Sequence, residues 1–196
     1  MRKHILLFVA ALIAGPVLTA CQTPPTQRFP EISFANLHPI NLEVASVKVA
    51  SRFQPTFQAP NVEHQFPIQP QAALQRWAQD RLKSMPGGRD GATFTIVDAS
   101  VKEVQLETDK DLKAKFTKEQ SQRYELRLEA IVEVFDGRGL SAGHAQAAVV
   151  RTKTVREDSS LNDREKVWYE MTEAAMNDFN AEMEKNIRQY LRTWAR

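Results

Sequence analysis

The sequence predicts an α+β fold: a two-layer sandwich in which a four-stranded, mostly antiparallel sheet carries two helices on one face, in the order strand-helix-strand-strand-strand-helix. Three observations carry this. Between Tyr124 and Phe135, Tyr124, Leu126, Leu128, Ala130, Val132 and Val134 fall on one face, while Arg123, Glu125, Arg127, Glu129 and Glu133 fall on the other, with Ile131 and Phe135 as exceptions. Alternation this strict marks a strand with one face in a core and one in water, as antiparallel sheets allow. From Val167 to Trp194, residues Met171, Ala174, Ala175, Phe179, Met183, Ile187, Tyr190 and Leu191 complete a stripe at three- and four-residue steps, the period of a helix. Between these lies Asp136-Gly137-Arg138-Gly139, a hairpin turn that sends the chain back beside the strand it has just left.

The other elements follow in chain order. Residues 1–20 have a basic start (Arg2, Lys3, His4), an apolar run from Ile5 to Ala14, then Gly15 and Pro16, the layout of a secretory leader. The apolar run is short for a span of a bilayer. Residues 21–39 open on Cys21 and contain Pro24, Pro25, Pro30 and Pro39 among polar residues, a composition that favours extended structure. At about 3 Å per residue such a tether reaches roughly 50 Å. Phe29, Ile32, Phe34 and Leu37 are more than an idle linker needs, so its later half is expected to dock on the folded part.

Residues 40–196 form the domain. Ile40 to Ala50 reads as a strand whose period slips once near Ala45-Ser46, where a bulge is expected. Arg52 to Pro70 is a loop with Phe53, Phe57 and Phe66 set among Pro55, Pro60 and Pro67. A loop this long usually has work to do, and its aromatics either lid a sheet edge or contact a partner or lipid. Gln71 to Met85 reads as a helix through Leu74, Trp77, Ala78, Leu82 and Met85, closed by Pro86-Gly87-Gly88. Thr93 to Leu106 is a strand whose apolar residues change face between Ile96 and Val97. A charged stretch, Glu107 to Gln122, with Phe116 within it, leads to Tyr124. After the hairpin, Leu140 to Val155 is the fourth strand; its Ala142, Ala145, Ala147 and Ala148 let a helix approach closely. The last helix begins at Ser160, which has Asp163 three residues on, a capping-box pattern. At roughly 1.5 Å per residue it approaches 50 Å, so its end is expected to project beyond strands of ordinary length, or the helix to break.

Composition narrows the function. The chain has 26 Lys+Arg against 24 Asp+Glu, and Arg2 and Lys3 lie in the leader, so the remainder is formally neutral. No clustered basic face points to nucleic acid. After residue 20 the histidines are His38, His64 and His144, without metal-ligand spacing. Gly87-Gly88-Arg89-Asp90-Gly91 lacks the Lys-Ser/Thr of a phosphate loop and reads as a helix stop. No Gly-x-Ser-x-Gly elbow occurs, and Cys21 is the single cysteine. Glu125, Glu129 and Glu133 alternate with Arg123 and Arg127, a solvated ion-paired face and not a pair of catalytic carboxylates. No catalytic residue, cofactor or metal is therefore expected, and the chain is not expected to be an enzyme. Phe53, Phe57, Phe66 and Phe116 are the candidate partner-binding residues.

Leu18-Thr19-Ala20-Cys21, behind that leader, resembles the lipobox of bacterial lipoproteins. The resemblance implies cleavage before Cys21 and a membrane anchor through acyl chains on that residue. In such proteins an Asp after the cysteine tends to retain the chain in the inner membrane; Gln22 stands here, which favours the periplasmic face of the outer membrane. The layout beyond residue 40, with Arg76-Trp77-Ala78 on the first helix, resembles the ABC-type transport auxiliary lipoproteins, and the lipopolysaccharide-assembly lipoproteins have a related order of elements. The loop lacks the Tyr-Leu-Asp stretch associated with the former. Either resemblance implies a non-enzymatic subunit docked on an envelope protein complex. The alternative is a carrier that binds lipid or another apolar ligand between helices and sheet.

Overall fold

The computed structural model describes residues 28–106, 120–156 and 158–196. Among these residues the elements follow in the order β1 (Ile40–Leu42), β2 (Ser46–Ser51), a short 3-10 turn (Glu63–Gln65), α1 (Pro70–Arg81), β3 (Leu82–Ser84), β4 (Gly91–Asp98), β5 (Val101–Gln105), β6 (Gln120–Phe135), β7 (Ser141–Arg156) and α2 (Leu161–Tyr190). Among the described residues the class is α+β with two α-helices, as the patterning predicts. The sheet differs from the expected four strands: the main sheet has five, and β1 and β3 form a separate parallel pair.

The extra strand comes from a break. Both β4 and β5 pair antiparallel with the same edge of β6, and the register shifts once, between Ile96 and Asp98, before continuing unchanged from Asp98 through Val101 to Gln105. Val97 is thus the inserted residue, at the place where the apolar pattern changes face. The main sheet is four strands wide: β2 parallel to β4, then β4 and β5 end to end, then β6, then β7.

The expected single strand Ile40–Ala50 is two strands in two sheets. Leu42 closes a tight turn with Val44 N–H (2.8 Å), and Ala45 N–H donates to the Asp90 carbonyl (2.7 Å), turning the chain from β3 toward β4. Gly88 makes this crossing feasible, because a Cβ there would sit 2.5 Å from the Val44 backbone. The first helix is also shorter than its apolar spacing predicts. It ends at Arg81, because Leu82 to Ser84 pair with Ile40 to Leu42.

Both helices cover one face. Register pairs Phe94 with Val132 and Val132 with Ala145, so these share the inner surface. Trp77 of α1 meets Phe94 at 5.5 Å and Phe179 of α2 at 5.2 Å. α2 runs antiparallel to β7 over Ala145 and Ala147, and a Cβ on Gly143 would come within 3.1 Å of the Trp194 ring. Ala148, paired with Glu129, lies on the opposite face, and Ala142 is exposed at the register shift between Gly143 and Ser141. Ser160 and Asp163 form the complete capping box. The helix neither breaks nor outruns its support. β6 and β7 are 16 residues each, about 50 Å at the usual rise, against about 45 Å for the 30-residue helix. Its buried stripe is wider than the sequence pattern, taking in Trp168, Thr172 and Met176, because Phe66 stacks on Trp168 from the side at 5.0 Å.

Candidate interaction surface

Residues 28–39 lie against the helical layer as a strap. Phe29 stacks on Tyr169 of α2 at 5.0 Å, Glu31 pairs with Arg76 at 2.6 Å, and Asp80 accepts from both Ser33 Oγ and Phe34 N–H at 2.8 Å. Ile32 and Phe34 are buried. Arg81, buried on α1, donates to the His38 carbonyl and to Glu184 of α2, joining strap and both helices. Between strap and α1 lies a groove of about 440 Å³ lined by Ile32, Phe66, Ile68, Ala72, Ala73 and Arg76 among others.

The loop that follows β2 replaces that strand along β5. Asn61 bridges Lys102, Val62 N–H donates to the Val101 carbonyl (2.9 Å) and Glu103 N–H to the Pro60 carbonyl (2.8 Å). It therefore covers the edge of β5. Its aromatics divide accordingly. Phe66 is 4% exposed and belongs to the core, where it offers a partner no surface. Phe53 is half-buried against the core. Phe57 is 65% exposed, and at φ 55 it sits in the left-handed region that bulky residues rarely adopt. An exposed aromatic held in a costly backbone conformation is a candidate for contact. Its ring lies 5.4 Å from His64. Phe116 and Cys21 lie outside the described residues, as does the charged stretch 107–119.

Glu63, which sequence reasoning passed over, is buried at 4% exposure. One carboxylate oxygen accepts Val101 N–H at 3.3 Å, and the other has no partner among the described residues. The bare face of the sheet is a lattice of ion pairs, Arg123 with Glu125 (2.7 Å) and Arg127 with both Glu129 (2.6 Å) and Asp98 (3.3 Å). This pairing occupies Glu125 and Glu129, two of the three carboxylates singled out in the sequence. Among the described residues no group of three His, Cys, Asp or Glu side chains could hold a metal, and no helix is long and apolar enough to cross a membrane.

Between helices and sheet, Leu74, Trp77, Leu126, Leu128, Phe179 and Met183 are all fully buried and in one core. Their side chains fill the space in which a carrier would hold its ligand.

No family model and no curated protein matches the chain. Solved structures overlap it loosely. Rare lipoprotein B from Shewanella oneidensis is 13% identical, with a TM-score of 0.35, over 71% of this chain and 94% of that one. A minor lipoprotein from Acinetobacter baumannii is 10% identical, with a TM-score of 0.38, over 76% and 96%. A Xanthomonas campestris protein of the family model DUF330 is 8% identical, with a TM-score of 0.29, over 77% and 95%. Overlaps this loose carry nothing about function from those proteins to this chain.

Proposed function

We propose that this chain is a lipid-anchored protein of the bacterial envelope, held by acyl chains on Cys21 at the periplasmic face of the outer membrane. Its folded domain serves as a non-enzymatic interaction subunit of an envelope complex, auxiliary to ABC-type transport or lipid trafficking. The observation that carries the anchor is Leu18-Thr19-Ala20-Cys21 at the end of a basic and apolar leader. Acylation there suits a stable anchor, since each buried methylene contributes about 0.8 kcal/mol and more than one chain holds far longer than one.

The interaction role draws on what the fold leaves open. The sheet face pairs Arg123 with Glu125 and Arg127 with Glu129, the interior is filled, and Phe57 remains as an exposed aromatic on the covering loop. The carrier alternative has no observation in its favour.

Replacing Cys21 with Ser tests the anchor: the variant is expected in the soluble periplasmic fraction, and its retention in membranes refutes lipidation. A photo-crosslinking residue at position 57 tests the interaction role. A discrete adduct in intact envelopes is expected, and its absence there removes Phe57 as the contact.

A further inference from the structure

The strap changes what the anchor does. As a free tether, residues 22–39 would let the domain wander roughly 50 Å from the bilayer. In the structure the chain is already bound from Phe29 onward, through the Tyr169 stack, the Arg76 pair and the Asp80 hydrogen bonds. Only six residues separate Cys21 from Arg28, and the seven steps from one to the other span at most about 25 Å.

Where the strap begins decides which end of the domain this short chain can hold at the membrane. Phe29 lies on Tyr169, two turns into α2, and from there the strap runs past Arg76 and Asp80 to His38 beside Glu184. The chain thus enters at the end where α2 begins and β7 finishes. The β6–β7 hairpin at Arg138 and the end of α2 at Tyr190 lie at the other end, and from Tyr169 to Tyr190 the helix runs about 32 Å. That exceeds what the six residues between Cys21 and Arg28 can span.

We propose that the strap makes the α2-start end of the domain a membrane-facing surface, with a lipid bilayer as its partner, and points the β6–β7 hairpin away from it. The inference rests on the anchor at Cys21. Leu161, the first residue of α2, is 65% exposed at that end, where an apolar side chain would meet headgroups and not open solvent. Arg28, next to Phe29, and Lys166, in the second turn of α2 and 3.9 Å from Glu170, are exposed toward the same end.

The test uses the full acylated chain in phosphatidylethanolamine–phosphatidylglycerol vesicles that carry a headgroup energy-transfer acceptor. With Cys21 acylated, an introduced cysteine is the only free thiol, so a donor dye is placed through Lys166→Cys or, separately, Arg138→Cys, both on exposed side chains. Transfer from position 166 is expected to be several-fold greater than from position 138. Inserting 18 Gly/Ser residues between Gln27 and Arg28 leaves the domain untouched and is expected to lower transfer from position 166 by at least half.

Equal transfer from the two positions, or no change on insertion, overturns the orientation while leaving the anchor intact. Unmodified Cys21 by mass spectrometry, with protein that fails to co-sediment with vesicles, overturns the anchor and the orientation together.

Discussion

The indole N–H of Trp77 donates to Oδ1 of Asn180 at 2.9 Å, tying α1 to α2 across 103 residues of chain. The same ring meets Phe94 and Phe179, so one side chain joins both helices and the sheet. Trp77→Ala is expected to cost about 3–5 kcal/mol, the range for truncating a buried aromatic. Trp77→Phe keeps much of the packing but strands the Asn180 acceptor, for about 1–3 kcal/mol. Denaturant unfolding of both variants checks this, and a Trp77→Phe loss as large as that of Trp77→Ala refutes the division into packing and hydrogen bond.

Gly88 is expected to be the least replaceable glycine of those without positive φ. An added Cβ would lie 2.5 Å from the Val44 N, Cα and C atoms, which are backbone and cannot swing aside. Gly88→Ala should cost about 1–3 kcal/mol through a forced backbone shift. Gly137, whose Cβ would meet nothing within 4 Å, is the control, and Gly137→Ala should leave the unfolding midpoint nearly unchanged.

Asp80 fastens the strap, so its removal should be felt there before it is felt globally. Its carboxylate accepts Phe34 N–H at 2.8 Å. In Asp80→Ala the Phe34 amide should exchange with solvent at least ten-fold faster, while the buried amides of β6 keep their protection. Hydrogen exchange resolved by residue distinguishes this from general destabilisation, which would accelerate both.

Tyr124 gives the domain an alkaline limit. Burial, with the nearby Glu103 carboxylate adding to it, pushes its hydroxyl up to about 12. The folded state therefore keeps a proton that the unfolded chain loses near pH 10, and stability from this group is full below pH 10 and falls as pH rises toward 12. Tyr124→Phe should flatten the unfolding midpoint between pH 10 and 12. A slope unchanged from the parent would assign the alkaline loss to other groups.

Much of the fold was legible where local pattern and tertiary role coincide. β6 alternates because one face is core and the other a lattice of ion pairs; α2 announces its start through Ser160 and Asp163; and the face change at Ile96-Val97 marks a real inserted residue. The same kind of slip near Ala45-Ser46 was not a bulge, because a slip in period looks alike whether the strand kinks within one sheet or leaves it for another. Of the candidate contact aromatics, Phe53, Phe57 and Phe66 share one Pro-rich loop and nothing local separates them. Trp168, far along the chain, takes Phe66 into the core and leaves Phe57 outside.

By itself, the sequence determined the class of fold, its helices and long strands, and the cysteine at which a lipid anchor is expected, because periodicity and a short motif are properties of adjacent residues. Only the tertiary structure decided that α1 stops at Arg81, that the strand breaks after Asp98, and that the tether's second half, expected to dock, does so on Arg76 and Asp80. Each of those depends on a partner dozens of residues away, and such a partner supplies its hydrogen bonds and buried surface only once the chain has folded.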